Sequence, residues 1–333
     1  MAQGELTRDE IRGIAYGFQG SRVLLTAYEL GIFGALGDGR CSSPRIAARI
    51  GADPRATDRL MNALCALRVL GKENGEFFCT GGTRDALMPG ADGDPGGLMH
   101  TVHLWDTWST LTEAVRKGRS VLLPDVNERG EKWLTAFIAA MHDRAYRQAP
   151  AAIAQLGLDD VKSVLDVGGG SAAYAMAFVR AKKGLRATVF DLPNVLPITR
   201  GYIERERLSG AVATVEGDYL RDELPRGFDL VLLSAIVHSN SGEENRGLIA
   251  KCARALNPGG MVVVQDFVMD DDRVSPVAGA LFALNMLVGT GSGDTFTESE
   301  IAGWMTGAGL SGVTRRASPF GWAQVIGYLR DGR

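Results

Sequence analysis

The sequence predicts an α/β protein in which a mostly parallel sheet, covered by helices on both faces, follows a mostly helical amino-terminal region. The main observation is that the second half alternates short apolar segments with helical ones. Strands that are apolar throughout are buried on both faces, as in parallel sheets. The strand-like segments are 163–167, 187–191, 211–216, 228–234 and 261–267. A second observation is the helical spacing of apolar residues before them.

The amino-terminal region has the element order of a winged helix. Apolar positions recur at helical spacing over residues 11–36, which predicts one long helix or two short ones. Further helices are predicted to start at Ser43-Pro44 and at Asp53-Pro54, because proline is common in the first turn. An Asn74-Gly75 turn between strand-forming residues then predicts a hairpin.

Composition and charge favour a small-molecule partner over nucleic acid or a membrane. The 333 residues are 45% hydrophobic and carry a net charge of -3, so phosphate backbones are not attracted overall. Residues 1–90 hold eleven Lys and Arg against ten Asp and Glu, which is too balanced for a DNA-reading face. The four cysteines lack metal-ligand spacing, and no run is long enough to cross a membrane. We therefore expect a cytoplasmic protein without a metal site.

A middle segment is predicted to line a pocket. Residues 81–96 are rich in Gly, Asp and Pro and predict a connector. Two helical stretches follow, and they concentrate large and ionisable side chains. We therefore divide the chain into residues 1–95, 96–156 and 157–333. The predicted lining residues of the middle segment are Trp108, Met141, His142, Arg144 and Tyr146.

Small and acidic residues follow three successive predicted strands. The first strand runs into Gly168-Gly169-Gly170, where backbone amides can approach a ligand before a helix starts. The second strand ends at Asp191, 23 residues after Gly168, where a carboxylate can accept hydrogen bonds from ribose hydroxyls. The third ends in Gly217-Asp218-Tyr219, an acid and an aromatic ring suited to an adenine base. The pattern predicts a nucleoside site at the carboxyl ends of the strands.

These motifs together resemble the plant caffeate-type and bacterial small-molecule O-methyltransferases, the acetylserotonin-like enzymes among them. The resemblance covers nearly the whole chain. It rests on VLDVGGG at 164–170, DLP at 191–193, GDY at 217–219, NPGG at 257–260, ELGIF at 29–33 and GAGL at 307–310. It implies a Rossmann-like class I methyltransferase sheet, a winged-helix dimerisation domain, a homodimer and S-adenosylmethionine as cofactor.

The resemblance also implies which residues contact the cofactor. Asp166, Gly168 and Gly170 are expected at the methionine part, and Asp191 and Leu192 at the ribose. Asp218 and Tyr219 are expected at the adenine, with Gly217 and Ser234 completing the set. One departure is Ala172, where the family commonly has another glycine.

The family's catalytic base is a histidine after the fourth strand, followed by Asp and Trp. Here the histidine is His238, but Ser239 and Asn240 stand in the next two positions. Imidazole can take the proton that a phenol must lose before it attacks a sulfonium methyl group. Family acids flank this histidine, and Asp294 stands near one such position. Asn285 and Met286 stand where relatives shape the acceptor pocket.

The acceptor stays open at this stage. Most relatives methylate a hydroxyl, for which His238 would be the general base. Arginine and histidine in the stretch 141–147 equally suit a small acid, because guanidinium binds carboxylate in a forked pair. A thiol or thioether acid would be methylated on sulfur without a base. Because Ser239 and Asn240 depart from the family, a cofactor-binding protein that transfers no methyl group is a further alternative.

Overall fold

The computed structural model describes residues 5–88, 96–122 and 130–330. The chain divides into two compact units, Met1–Trp105 and Asp106–Arg333. In the part of the chain that is described, no helix has the length and apolar character needed to cross a membrane. No group of three or more potential metal-binding side chains lies together in those same ranges.

The first unit is helical with one hairpin. The predicted helix over 11–36 is three short helices, because Gly17 and Gly31 interrupt it. The hairpin predicted at Asn74-Gly75 is confirmed, and both turn residues have positive φ, as this tight turn requires. The elements are α1 (Arg8–Tyr16), α2 (Phe18–Glu29), α3 (Ile32–Leu36), α4 (Ser43–Ile50), α5 (Pro54–Ala66), β1 (Leu70–Glu73), β2 (Glu76–Cys79) and α6 (Gly81–Leu87).

The predicted connector over 81–96 is wrong in its first half. Residues Gly81–Leu87 form α6. The hydroxyls of Thr80 and Thr83 both donate to the carbonyl of Val69, which fixes the start of this helix against the hairpin. Residues 89–95 lie outside the described residues.

Helices and strands alternate in the second unit. Helix α7 (Gly96–Ser109) leads into it. The elements that follow are α8 (Leu111–Lys117), α9 (Glu131–Ala154), β3 (Ser163–Val167), α10 (Ala173–Ala181), β4 (Arg186–Asp191), α11 (Leu196–Arg205), β5 (Val212–Glu216), β6 (Phe228–Ser234), α12 (Gly242–Ala255), β7 (Leu256–Asp266), β8 (Val268–Met269), α13 (Val277–Gly289), β9 (Phe296–Thr297), α14 (Glu298–Gly307), β10 (Leu310–Ala317) and β11 (Ala323–Leu329).

The described strands include a seven-stranded sheet in the order β10-β11-β7-β6-β3-β4-β5. The strands from β7 to β5 are parallel, as predicted, and β11 pairs antiparallel with both β7 and β10. Strand β3 has β4 on one side and β6 on the other. The chain order reverses there, which is where ligands bind in sheets of this kind.

Both faces of the sheet are buried. Along β6, Val231 and Leu233 belong to one apolar core, while Leu230 and Leu232 belong to the other. Alternate residues of a strand point to opposite faces, so an apolar run fills two cores at once. The sheet is therefore held rigidly, and its carboxyl ends present fixed positions for polar groups.

Candidate active site

The glycine turn after β3 has a backbone that only glycine adopts without strain. Gly168 and Gly170 have φ values of +66° and +53°. A Cβ atom on Gly168 would lie 2.3 Å from Cδ1 of Ile236, and one on Gly169 would lie 2.7 Å from a carboxylate oxygen of Asp166. The turn is therefore fixed by close contacts on two sides.

The Asp166 carboxylate lies beneath this turn rather than in the open. Its side chain is buried, and Oδ2 accepts a hydrogen bond of 3.2 Å from the Ala175 amide in the first turn of α10. Burial, with a contribution from the negative charge of Asp191, raises the pKa of Asp166 to about 7. The carboxyl group thus supports the turn and the start of α10.

Ala172, the departure from the family's glycine, has a left-handed backbone. Its φ is +65°, it is fully buried, and it precedes the first residue of α10. Its amide donates to the Gly169 carbonyl at 2.9 Å, so the turn closes in spite of the methyl group. An alanine in this conformation costs about 1–2 kcal/mol.

Asp191 connects the end of β4 to the glycine turn. Its Oδ2 accepts a hydrogen bond of 2.8 Å from the Gly170 amide, and its Oδ1 accepts one of 2.8 Å from the Leu192 amide. The residue is only 8% exposed, and burial raises the pKa of its carboxyl group. An ionised carboxylate has about four acceptor positions, so two stay available to vicinal hydroxyls.

The segment after β5 is held close to β4. A Cβ atom on Gly217 would lie 2.3 Å from the buried ring of Phe190, so glycine is needed there. Asp218 accepts a hydrogen bond of 2.9 Å from the Leu220 amide. Burial and nearby carboxylates raise the pKa of Tyr219 to about 12, and its hydroxyl donates to Asn240 Oδ1 at 3.3 Å.

Asn240, which stands where the family has tryptophan, is a buried connection between two parts of the site. Its Nδ2 donates to Asn245 Oδ1 at 3.1 Å, and Asn245 Nδ2 donates to the Val237 carbonyl at 2.8 Å. Since Val237 directly precedes His238, this network joins Tyr219 to the turn that carries the histidine. The departure at this position therefore has a structural role.

His238 lies in a single 3-10 turn, Val237–Ser239, after β6. Its Nδ1 lies 2.8 and 2.9 Å from the two carboxylate oxygens of Asp266, the last residue of β7. A carboxylate accepts hydrogen bonds, so a neutral imidazole in this contact carries its proton on Nδ1 and has its lone pair on Nε2. The edge of the ring packs against Phe282 at 4.9 Å between centroids.

Asp266 is the residue that the sequence analysis missed. It is 5% exposed, and it also accepts a hydrogen bond of 2.8 Å from the Phe267 amide. Its signal in the sequence was an acid at the carboxyl end of the last parallel strand, next to the strand that precedes His238. Gln265 beside it donates to Ser234 Oγ at 2.9 Å and to the Tyr174 hydroxyl at 2.5 Å.

Asp294 contacts His238 through its backbone. Its amide donates to the His238 carbonyl at 3.0 Å, whereas its carboxylate lies 3.6 Å from the Arg273 guanidinium. A Cβ atom on the preceding Gly293 would lie 2.4 Å from the same carbonyl. The loop of Gly293 and Asp294 thus packs against the His238 carbonyl and fixes the main chain of the histidine turn.

The predicted pocket residues fall into two groups. Trp108 Nε1 donates to Asn285 Oδ1 at 2.9 Å, and Arg144 lies 5.6 Å from the ring centroid of Phe267, which itself contacts Phe282. Phe282 also contacts the His238 ring, so this first group lies next to the histidine. Met286 is buried one residue after Asn285, and Met141 is partly buried on α9.

His142 and Tyr146 lie at the glycine turn instead. The Nδ1 of His142 lies 2.8 Å from Ser171 Oγ, and its ring stacks on Tyr202 at 4.1 Å. Burial, assisted by the positive charge of Arg205, lowers the pKa of His142. Tyr146 is 45% exposed and packs against the His142 ring at 5.5 Å.

Comparison with known families matches both units. Residues 108–311 match the model of an O-methyltransferase domain, and residues 13–83 match that of an O-methyltransferase dimerisation domain. The first match alone covers more than half of the chain.

Curated relatives match over almost their full lengths. A 3-hydroxy-5-methyl-1-naphthoate 3-O-methyltransferase of Streptomyces sahachiroi is 34% identical over 92% of this chain and 91% of its own. The tetracenomycin polyketide synthesis 8-O-methyl transferase TcmO of Streptomyces glaucescens is 30% identical over 92% and 93%.

Solved structures share the fold. An O-methyltransferase family protein from Burkholderia thailandensis has a TM-score of 0.88, at 25% identity over 99% of this chain and 100% of its own. Human N-acetylserotonin methyltransferase, solved with S-adenosylmethionine, has a TM-score of 0.86, at 24% identity over 99% of both chains. The chain therefore belongs to the O-methyltransferase family and is a methyltransferase whose methyl donor is S-adenosylmethionine.

Proposed function

We propose that the protein methylates a hydroxyl group on an aromatic ring, with His238 as the general base. The observation that carries this proposal is the contact of 2.8 Å between His238 Nδ1 and Asp266. With its proton held on Nδ1, the imidazole can accept the phenolic proton at Nε2. Asp266 then stabilises the imidazolium that forms. The base is thus oriented without the acid that the family has after its histidine.

The residues around the switch point fit S-adenosylmethionine. Gly168 and Gly170 leave the turn free of side chains, so its amides can approach the methionine part, while Asp166 and Ser234 support the strand ends on either side. Asp191 has acceptor positions left for the ribose hydroxyls, beside Leu192. When bound, this cofactor supplies a methyl group that is already activated for transfer.

For the adenine we propose the segment after β5. The Tyr219 ring provides a face for stacking, and Asp218 provides a carboxylate that can accept from the adenine amino group. Gly217 keeps this segment against Phe190. Asn240 accepts a hydrogen bond from the Tyr219 hydroxyl and so holds this ring in position for stacking.

We propose a fused aromatic ring as the acceptor. The rings of Phe267 and Phe282, 4.5 Å apart between centroids, form an aromatic wall next to His238. Relatives at 34% and 30% identity are named for a naphthoate and for tetracenomycin polyketide synthesis, which are fused-ring compounds. Trp108, Met141, Asn285 and Met286 are the proposed remainder of the pocket lining.

The test is methyl transfer from S-adenosylmethionine to 2-naphthol and to a thioether acid, followed by mass spectrometry. We expect the wild-type protein to methylate the naphthol hydroxyl and His238→Ala to lose most of that activity. Methylation of the thioether alone, retained in His238→Ala, would contradict the base role. Release of no S-adenosylhomocysteine with any acceptor would support a binding protein that transfers no methyl group.

We also propose that two chains associate through the dimerisation domain. Helix α1 has no buried residue, and it and its neighbours expose the large apolar side chains Ile11, Ile14, Tyr16 and Phe18, each more than half exposed. A contiguous apolar surface of this kind is typical of a protein interface. A closed twofold pair would bury the same face of both chains.

A further inference from the structure

The Arg144 guanidinium is a positive charge with no negative partner in the described part of the chain. It lies 5.6 Å from the ring centroid of Phe267. Among the side chains that the structure describes, no carboxylate lies at ion-pair distance from it. Arg147, one turn further along α9, forms an ion pair with Asp143 on the same helix. Of these two arginines, only Arg147 has an ion-pair partner among the described side chains.

Arg144 faces the catalytic end of the sheet. Centroid distances of 5.6, 4.5 and 4.9 Å lead from its guanidinium through Phe267 and Phe282 to the His238 imidazole. Its positive charge also acts on Tyr174. Burial raises the pKa of Tyr174, and the positive charge of Arg144 is among the effects that oppose this rise. Arg144 and His238 thus lie at two ends of one aromatic wall.

His142, the other ionisable base predicted on α9, does not supply the positive charge at this aromatic wall. His142 bonds to Ser171 and stacks on Tyr202, away from the Phe267–Phe282 wall. Burial lowers its pKa, which disfavours the charged form of its ring. The positive charge at this wall comes from Arg144.

We propose that Arg144 binds a carboxylate on the acceptor, so that the substrate is a hydroxylated aromatic acid. This inference rests on the proposed function, since it concerns the same acceptor site. A guanidinium over an aromatic face keeps its N–H donors at its edge, where a carboxylate accepts two of them in a forked pair. The acceptor ring then lies along the aromatic wall, with its acid at Arg144 and its hydroxyl at His238. Arg144 sets both the substrate class and the orientation.

The experiment measures binding, which does not require methyl transfer. The full chain is titrated calorimetrically, in the presence of S-adenosylhomocysteine, with 3-hydroxy-1-naphthoate and with 2-naphthol, the same ring without the acid. We expect the wild-type protein to bind the acid about 10- to 100-fold more tightly, as charge-assisted hydrogen bonds require. Arg144→Met should reduce this preference to about threefold or less. Arg147→Met, the matched control on the same helix, should keep it.

Three results would overturn the inference. The first is that Arg144→Met weakens the binding of both ligands equally. The second is that this variant keeps the full preference for the acid over 2-naphthol, and the third is that the wild-type protein shows no measurable binding of the acid. Arg144→Lys, which keeps the charge but loses the fork, should retain part of the preference. If the acid binds through Arg144 but is not methylated, the proposed function fails while the carboxylate site stands. If 2-naphthol is methylated and Arg144→Met changes neither binding constant, the carboxylate site fails while the proposed function stands.

Discussion

His238 Nδ1 lies within 2.9 Å of both carboxylate oxygens of Asp266, on the neighbouring strand of the sheet. Strands β6 and β7 are parallel, so their carboxyl ends meet and bring the base and its orienting acid together. Ser239 follows the histidine in sequence, so its acidic partner comes from a different strand. It gives the histidine one proton position and one ring orientation.

We predict that Asp266→Asn lowers kcat for a hydroxyl acceptor by about 100-fold or more, because the amide no longer fixes the proton on Nδ1. The dissociation constant of S-adenosylhomocysteine should stay within about threefold of the wild-type value, since neither Asp266 nor His238 is proposed to contact this molecule. Steady-state kinetics and calorimetry give the two values. Asp271→Asn, an exposed acid five residues on, is the control and should leave kcat unchanged. A matching loss in both variants, or an unchanged kcat in Asp266→Asn, would contradict the positioning role.

The sequence predicted the parts of the site that depend on short local motifs. The glycines at 168–170 directly follow one predicted strand, and Asp191 ends the next. Their place at the carboxyl edge of the sheet could therefore be predicted from the sequence alone. His238 was assigned as the base through the resemblance to the family instead. The pairing with Asp266 was not found, because 28 residues separate the two and only the strand order makes them neighbours.

The parallel strands of the sheet were predicted, whereas the two antiparallel strands at its edge were missed. Parallel strands such as β6 are apolar throughout and therefore easy to recognise. Strand β10, at the edge of the sheet, is buried only at Leu310 and then alternates half-buried and exposed residues, and its pattern was not assigned to a strand. Helix α6 was missed because its first residues, Gly81 and Gly82, favour turns. Hydrogen bonds from two threonines to Val69, in the turn before β1, fix that helix.

The Trp108–Asn285 hydrogen bond should couple the two residues energetically. Its length is 2.9 Å, and it joins α7 to α13 beside the aromatic wall. We predict that Trp108→Phe and Asn285→Leu each raise the KM of the acceptor, and that the double variant is less impaired than the sum of the two. A double-mutant cycle on kcat/KM should give a coupling of about 0.5–1.5 kcal/mol. Strict additivity would mean that the contact has no part in acceptor binding.

The backbone of Gly168 should not accept a side chain. Gly168→Ala would force alanine to a φ of +66°, with its Cβ 2.3 Å from Cδ1 of Ile236. We expect about 1–3 kcal/mol of lost stability and at least about tenfold weaker binding of S-adenosylhomocysteine. The control is Gly201→Ala within α11, where the new methyl group meets nothing, and which should stabilise the protein by about 0.5–1 kcal/mol. Equal effects of the two substitutions on binding would argue against the glycine turn as the cofactor site.

Ile14 is the most exposed of the large apolar side chains on α1, at 72%. If this face is buried between two chains, Ile14→Glu should place a charge in an apolar interface and raise the dissociation constant of the dimer by at least about tenfold. Analytical ultracentrifugation measures this constant directly. Val115→Glu, at a residue that is 61% exposed on α8, is the control and should leave the assembly unchanged. A monomeric wild-type protein, or an unaffected dimer in Ile14→Glu, would contradict the proposed interface.

The buried carboxyl group of Asp166 should make stability depend on pH. Burial raises its pKa from 3.8 to about 7 in the folded protein, so between these values the folded state holds a proton that the unfolded state has released. The contribution of Asp166 to the free energy of unfolding therefore falls as the pH rises from about 4 to about 7 and stays low above that. Asp166→Asn has no such titration.

Urea unfolding without cofactor, at pH 5 and at pH 8, gives the comparison. Between these two values the wild-type protein should lose roughly 2–3 kcal/mol relative to Asp166→Asn. Because this is a difference between two pH values, any constant effect of the asparagine cancels. Asp272→Asn, in an exposed turn, should follow the wild-type profile. Parallel profiles of the wild-type protein and Asp166→Asn would mean that the carboxyl beneath the glycine turn is ionised throughout this pH range, and that the Ala175 amide already stabilises its charge.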